Sequence, residues 1–446
     1  MAESTDWAFP AELQPPAKGL RFDLGPVLDA VVSLRSEIPE DAFSASVLGT
    51  ERAGSGVVIR DDGLILTIGY LITEAESIWL TANDGTVVAG HPLAYDAVTG
   101  FGLVQPLGRI GAPALARGSS ASVTVGDDVI AIGHGGRAHA LKAHLIAKRE
   151  FAGYWEYVLD EALFTSPPHP QWGGAALVGD DGRLLGIGSL LVQEALDGEP
   201  IQGNMFVPID LLEPILDDML KHGVPARPPR PWLGMYTAEA EQRLVVSALA
   251  TGGPADTAGA RLGDIVIEVA GERVSGLADM FRKVWRLGPA GVEVPLTIAR
   301  DGTLTQLTVR SADRSDFLKK PAAVTDGRQP PPPSRARPCA GRSVLSPVVR
   351  ACDQALGRRD HVHDRRPGFP ARIDARFCTG AGAGVVSLRH ARQFRRRRAR
   401  YARGDAGRGR SDRQAAVRGR HVRIVSLRRS GRACDRDLLG SLNATA

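Results

Sequence analysis

Three times between residues 54 and 191 the chain repeats one device: an aliphatic, β-branched run, an acidic or Asn pair with a glycine, and a second such run. The segments are "SGVVIRDDGLILTIG", turning at Asp61, Asp62 and Gly63; "SIWLTANDGTVVAGHPL", turning at Asn83, Asp84 and Gly85; and "ALVGDDGRLLGIGSLL", turning at Asp180, Asp181 and Gly182. Asx-Gly turns between alternating or apolar runs are the strongest short-range signal for a β-hairpin. Several in succession over residues 29–207 imply an all-β barrel or sandwich, because only closure or stacking covers that many strand edges.

The period then changes. In "PIDLLEPILDDMLKHG" the residues Leu211, Leu212, Ile215, Leu216 and Leu220 recur at helical spacing, Lys221 and His222 lie in the last turn, and Gly223 supplies the stop. "VPARPPRP", residues 224–231, reads as a proline-stiffened linker. Residues 232–313 form a second, small α+β unit: strands in "RLVVSAL" and "DIVIEVAG", a helix in "GLADMFRKVWRLG" with Leu277, Met280, Phe281 and Val284 on one side, and a final hairpin turning at Asp301 and Gly302.

Charge divides the chain. Residues 1–313 carry 23 Lys and Arg against 40 Asp and Glu, and the remainder carries 32 against 10. Beyond Lys320 there is no Glu and no further Lys, a proline run spans Pro330–Pro333, and no sustained period survives. Residues 314–446 therefore read as an Arg/Pro-rich disordered tail or as the translation of a shifted frame. Its "RRRRAR", Arg395–Arg400, suits phosphates but lacks aromatic interleaving and any known module, so specific nucleic-acid binding is not supported. All four cysteines, Cys339, Cys352, Cys378 and Cys434, lie in this tail, which excludes disulfides and thiolate metal sites from the body. The N-terminus shows no basic-then-apolar leader and no stretch approaches 18 uninterrupted apolar residues, so the expectation is a cytoplasmic protein without a membrane span.

The body resembles the HtrA/Deg family, trypsin-like serine endopeptidases followed by a PDZ domain. Six fragments carry the resemblance in family order: "GSGVVIRDDGLILT" (54–67), "YDAVTGFGLV" (95–104), "VGDDVIAIG" (125–133), "GGAALVGDDGRLLGIGS" (173–189), "VPIDLLEPILDDMLKHG" (207–223) and "PWLGM" (231–235). The resemblance implies a mainly β fold: an N-terminal segment (1–28), a trypsin-like double β-barrel (29–223), the linker, a PDZ-like domain (232–313) and the tail. No cofactor is expected.

Carried over position by position, the chemistry is missing. The general base falls on Tyr70, a phenol with a pKa near 10 that is protonated at neutral pH. The orienting carboxylate falls on Gly100 and the nucleophile on Gly173. The oxyanion loop reads Gln171 and Trp172, with Gln171 replacing the glycine that presents backbone N–H groups. The expectation is a pseudoprotease; an active endopeptidase with an unconventional site is the alternative. Thr165, Ser166 and Ser189 offer hydroxyls, and His91, His134, His139, His144, His169 and His222 offer imidazoles. Ser166 with His169 is the most tempting pair, yet no carboxylate is placed by sequence to orient the ring. Tyr70 and Trp172 either form an aromatic peptide-binding pair or fill the space of the lost imidazole. His139 and His144, read as two positions of one strand, face opposite sides and suggest no metal site.

For the PDZ-like unit the resemblance implies that the loop Trp232, Leu233, Gly234 and Met235 receives peptides or protein C-termini, unless the pocket is occluded or serves intramolecular docking. It also implies a homo-oligomer, a trimer in the family, built through an N-terminal segment that here carries Trp7, Phe9, Leu20, Phe22 and Leu24.

Overall fold

The computed structural model describes residues 7–196, 199–240 and 242–319. The hairpins close into two antiparallel barrels. The first comprises β1 (Val31–Glu37), β2 (Glu51–Val58), β3 (Ile65–Ile68), β4 (Ser77–Thr81), β5 (Val87–Tyr95) and β6 (Phe101–Pro106), in the spatial order β1-β2-β3-β6-β5-β4. The second comprises β7 (Asp128–Ile132), β8 (Ala140–Gly153), β9 (Tyr157–Ser166), β10 (Ala176–Val178), β11 (Leu184–Leu196) and β12 (Glu199–Pro208), in the order β10-β11-β12-β9-β8-β7. Gly63, Gly85 and Gly182 each hold a left-handed φ between 78° and 86°, the conformation that made the three turns readable. Alternate strand residues turn inward, and Phe101, Phe151, Phe164 and Phe206 are fully buried. Each such ring contributes about 1.5–3 kcal/mol of transfer free energy.

The helix Glu213–His222 follows, ended by Gly223 at φ 76° with its N–H on the Met219 carbonyl. Its covered face is Leu212, Ile215, Leu216 and Met219, whereas Leu211 and Leu220 are only half-buried. Residues 209–211 form a separate 3-10 turn, and within the helix Met219 shares the buried face four residues after Ile215.

The C-terminal unit holds β13 (Met235–Ala240), β14 (Arg243–Leu249), β15 (Ile265–Val269), β16 (Glu272–Arg273), β17 (Glu293–Arg300) and β18 (Thr303–Arg310), ordered β13-β14-β15-β17-β18 with β16 beside β15. The helix Leu277–Arg286 buries Leu277, Met280, Phe281 and Val284, the four positions its periodicity marks.

Two expectations change on folding. Residues 224–231 are not a free spacer: the Arg227 guanidinium pairs with the buried Asp96 carboxylate, Arg230 lies 4.2 Å from the Trp285 ring centroid, and the Pro229 carbonyl accepts the Ala290 N–H (2.9 Å). Nor does folded chain stop at residue 313. Arg314–Phe317 is a 3-10 turn, Phe317 packs on Trp232 (4.8 Å) and Phe43 (5.9 Å), and the Lys319 N–H donates to the Glu74 carboxylate (2.8 Å), 245 residues away. Phe317, the aromatic residue at the start of that stretch, extends the fold through these ring contacts. The rest of the tail, with Arg395–Arg400 and the cysteines, lies outside the described residues. At the other end Trp7 stacks on His139 (4.3 Å), Phe9 packs against the second barrel, and Leu20 and Phe22 pack on the main core, so much of the apolar surface of this segment is covered within the chain.

Candidate functional site

Tyr70, Gly100 and Gly173, the positions to which the resemblance assigns a triad, lie near one another where the barrels meet. Tyr70 lies on the 3-10 turn Gly69–Leu71 directly after β3. That turn is held by the Gly69 N–H on the Gly100 carbonyl (2.6 Å), and Gly100 itself needs its left-handed φ of 82°. Tyr70 reaches across to the second barrel, where its hydroxyl donates to the Ser189 carbonyl (2.9 Å). Burial pushes the phenol above its usual range, with the Trp172 side chain at its oxygen pulling the other way. A Cβ placed on Gly173 would meet this hydroxyl at 2.9 Å, so the tyrosine fills the space of a nucleophile's side chain. Tyr70→Phe is expected to lower the unfolding free energy by about 1–2 kcal/mol, because it strands the Ser189 carbonyl. A urea titration unchanged from wild type would remove the hydroxyl from this role.

Beside Gly100 stands a residue that no motif announced. The Tyr157 hydroxyl donates to the Thr99 carbonyl (2.7 Å), and a Cβ on Gly100 would meet the Tyr157 oxygen at 3.3 Å. Tyr157 is buried, and Trp155 stacks on it (5.7 Å). The nearest carboxylate in sequence, Asp96, is spent elsewhere: it accepts from the Thr99 N–H (3.0 Å) and hydroxyl (2.7 Å) and pairs with Arg227. Nothing in this arrangement orients a base.

The serine-loop backbone is fixed by close approaches. Gly174 has φ 75°, and a Cβ there would lie 1.8 Å from the Ser55 carbonyl oxygen. The Gly173 carbonyl accepts the Ser55 N–H (2.8 Å), and the Ala175 N–H bonds back to the Trp172 carbonyl (3.1 Å). The Gln171 N–H, one of the two donors an oxyanion would need, is taken by His169 Nδ1 (3.0 Å). The other face of that ring, Nε2, bonds to the His139 carbonyl (2.9 Å), and the His169 N–H bonds to Asn204 Oδ1 (2.6 Å). With Nδ1 accepting, Nε2 carries the proton, and burial lowers the imidazole to about 4.

The Ser166–His169 pair is therefore not assembled, since both ring nitrogens are engaged and the Ser166 hydroxyl donates to the Gln202 carbonyl (3.2 Å). Thr165 is fully buried, its hydroxyl without a hydrogen-bond partner among the described residues. His139 ends the 3-10 turn Gly136–His139 rather than sharing a strand with His144, which is exposed on β8 against Asp128 (2.6 Å). His91 sits on β5, His222 ends its helix, and the His134 backbone N–H donates to Ser55 Oγ (3.3 Å). No group of three or more His, Cys, Asp or Glu able to hold a metal occurs among the described residues. A cavity of about 560 Å³, lined by residues such as Arg60, Asp62 and Arg117, lies apart from Tyr70 and Gly173.

In the C-terminal unit the loop at 232–235 is in use. Trp232 pairs with Ala312 through two backbone hydrogen bonds (3.0 Å each), and Gly234 turns with φ 67°. The N–H groups of Leu233 and Met235 both donate to the carboxylate of Glu156, at the tip of the β8–β9 hairpin.

Two family models match the chain in the order of its folded units. A model described as a trypsin-like peptidase domain covers residues 54–187, and one described as a PDZ domain covers residues 231–310. The chain is similar to DegP-like and DegS serine endoproteases through a trypsin-like peptidase domain followed by a PDZ domain. A probable periplasmic serine endoprotease DegP-like from Halomonas elongata is 26% identical over 279 residues, 60% of this chain and 57% of that protein. The serine endoprotease DegS of Escherichia coli K12 is 27% identical over 273 residues, 58% and 75% of the two chains. Among solved structures, a serine endoprotease from Yersinia pestis aligns with 20% identity and a TM-score of 0.40, covering 66% of this chain and 99% of that one. The chain thus spans little more than half the length of its Halomonas HtrA/Deg relative. These names overturn the cytoplasmic expectation, since relatives from Halomonas elongata and Chlamydia pneumoniae are periplasmic endoproteases by name. A body without cysteines suits either compartment, so its composition never spoke for the cytoplasm.

Proposed function

We propose that this HtrA/Deg-like protein is proteolytically silent and works by binding peptides or unfolded segments through its PDZ unit, in the periplasm and as an oligomer. The observation that carries the silent site is the Tyr70 hydroxyl, bound to the Ser189 carbonyl in the space a side chain at Gly173 would need. Catalysis by a triad requires a nucleophile, a base within hydrogen-bond reach and a group that fixes the base's tautomer. Here the three positions supply a hydrogen, a phenol and a second hydrogen, and one oxyanion donor is consumed by His169. Loss of the whole triad costs about six orders of magnitude in kcat where it has been tested. The peptide-binding half rests on the loop at 232–235, whose N–H groups already hold a carboxylate.

Fluorophosphonate labelling and a matched peptide-hydrolysis assay on the purified protein, with Ser166→Ala beside it, test the silent site. No label and no turnover above buffer are expected. A label on one serine, lost with turnover on its replacement by alanine, would reinstate the active endopeptidase.

A further inference from the structure

The β8–β9 hairpin reaches out of the second barrel and ends at Tyr154–Glu156, against the C-terminal unit. β13 is the edge strand of that unit's sheet, and its outer edge is the side a peptide would join. This edge is already paired. The Leu233 N–H donates to both Glu156 oxygens (3.0 and 3.2 Å), the Met235 N–H donates to one of them (3.1 Å), and two residues further on the Thr237 N–H donates to the Tyr154 carbonyl (3.2 Å). Three alternate donors on one edge are thus taken by a carboxylate and then by a backbone carbonyl, the order in which a chain terminus and its preceding residues present the same groups.

The apolar side agrees. Ala152 and Val158, flanking the tip on the two hairpin strands, are buried in one cluster with Leu233, Met235, Met280, Phe281 and Val284. Arg282, on the same helix, pairs with Glu150 of β8 and with Asp160 of β9 (2.5 Å). Glu156 takes a left-handed φ of 63°, which a non-glycine residue holds only where its surroundings impose it. The hairpin is therefore seated along the strand, along the helix and at the carboxylate loop together.

We propose that the β8–β9 hairpin is a built-in ligand of the PDZ unit, with the Glu156 side chain standing in for a C-terminal carboxylate, so that a peptide with a free terminus binds by displacing it. This rests on the peptide-binding reading above and adds its regulation. The incoming ligand is an extended chain end with a free α-carboxylate. An amidated end lacks the charge that the loop's N–H groups select, and an internal segment lacks the terminus. The affinity of the open groove is multiplied by the fraction of molecules in which the hairpin has left it.

The test uses the full chain with Glu156→Gln, which keeps size and loses charge, and Glu156→Gly, which accepts the left-handed backbone. Without any peptide, amide hydrogen exchange over residues 232–237 should be at least tenfold faster in Glu156→Gly, with the barrel strands unchanged. A fluorescent nonapeptide with an apolar terminal residue and a free carboxylate should bind at least tenfold more tightly to either variant than to wild type, and its amide should bind to none. Unchanged exchange overturns the built-in ligand. Faster exchange with equal peptide affinity in all three proteins overturns the displacement while leaving peptide binding in place. Faster exchange with no binding of the free-carboxylate peptide to any of them refutes peptide binding itself, and the displacement with it.

Discussion

Gly174→Ala is expected to cost about 4 kcal/mol of folding stability, a magnitude reached by few single substitutions. Two costs add. At φ 75° an alanine pays about 1–2 kcal/mol for the left-handed backbone. Its Cβ would also sit 1.8 Å from the Ser55 carbonyl oxygen and 2.7 Å from Thr67 Oγ1, which themselves share a 2.7 Å hydrogen bond. Neither neighbour is a flexible tip. One is the backbone of β2, and relief requires the serine loop to retreat from the first barrel, breaking the Ser55 to Gly173 hydrogen bond. Gly126 separates the two costs: its φ is 101°, and a Cβ there meets nothing within 4 Å, so Gly126→Ala should cost about 1 kcal/mol. Urea unfolding of both variants measures the difference. Equal midpoints would show that the loop yields freely and that the packing between the barrels at Gly174 is soft.

Acid should act through His169. Burial, acting against its hydrogen bond to the His139 carbonyl, lowers the folded imidazole to about 4, while the unfolded ring titrates near 6.5. Between these values the unfolded chain holds more protons. The contribution is complete above about pH 6.5 and is lost as the pH falls towards 4, reaching about 3 kcal/mol at most. Glu156 runs in the opposite sense: burial, partly countered by the loop N–H groups, raises its carboxyl from 4.5 to about 7. The folded protein then holds the extra proton between those values, so this contribution is present below about 4.5 and is lost as the pH rises through 7. The two offset each other in the shared window, and wild type should show a shallow profile. Glu156→Gln should uncover the steep loss on acidification, followed by denaturant midpoints at pH 7, 5.5 and 4.5 and by the NMR titration of the His169 ring. A ring titrating near 6.5 in the folded protein would sink the account.

Much of the fold lay open in the sequence because its determinants are local. The Asp-Asp-Gly and Asn-Asp-Gly turns state their own backbone conformation, and Leu277, Met280, Phe281 and Val284 declare a buried face by spacing alone. The candidate site was legible to the extent that motif order carries position: Tyr70, Gly100 and Gly173 do converge. The side chains that surround these three positions were not legible. Tyr157 is one more aromatic in a strand until β9 is laid beside Gly100, and Glu156 is an ordinary acidic turn residue until folding brings it to Leu233, 77 positions away. Likewise "VPARPPRP" reads as a proline-stiffened linker, and nothing in it announces that Arg227 meets Asp96 or that Arg230 meets Trp285. Contacts between distant elements leave no periodic trace, so neither Tyr157 nor the plug at Glu156 had a signal that sequence reasoning could weigh.

The hydrogen bond from Lys319 to Glu74 sets an order of events during synthesis. Glu74 collects the N–H groups of Phe43 (3.1 Å) and Ser44 (2.6 Å) from chain made before it, but its remaining backbone donor is translated 245 residues later. Domains emerging from the ribosome fold N-terminal first, and closing so long a loop carries a large entropic cost. The first barrel must therefore stand for most of the chain's synthesis with one edge of this acidic knot open, and it is sealed only when Phe317 and Lys319 return to it. A nascent chain stalled before residue 317 would hold its PDZ unit through Glu156, Arg282 and Arg227 but leave Glu74 and the Phe43–Trp232 ring pair uncovered, a species that a protease could tell from the finished protein.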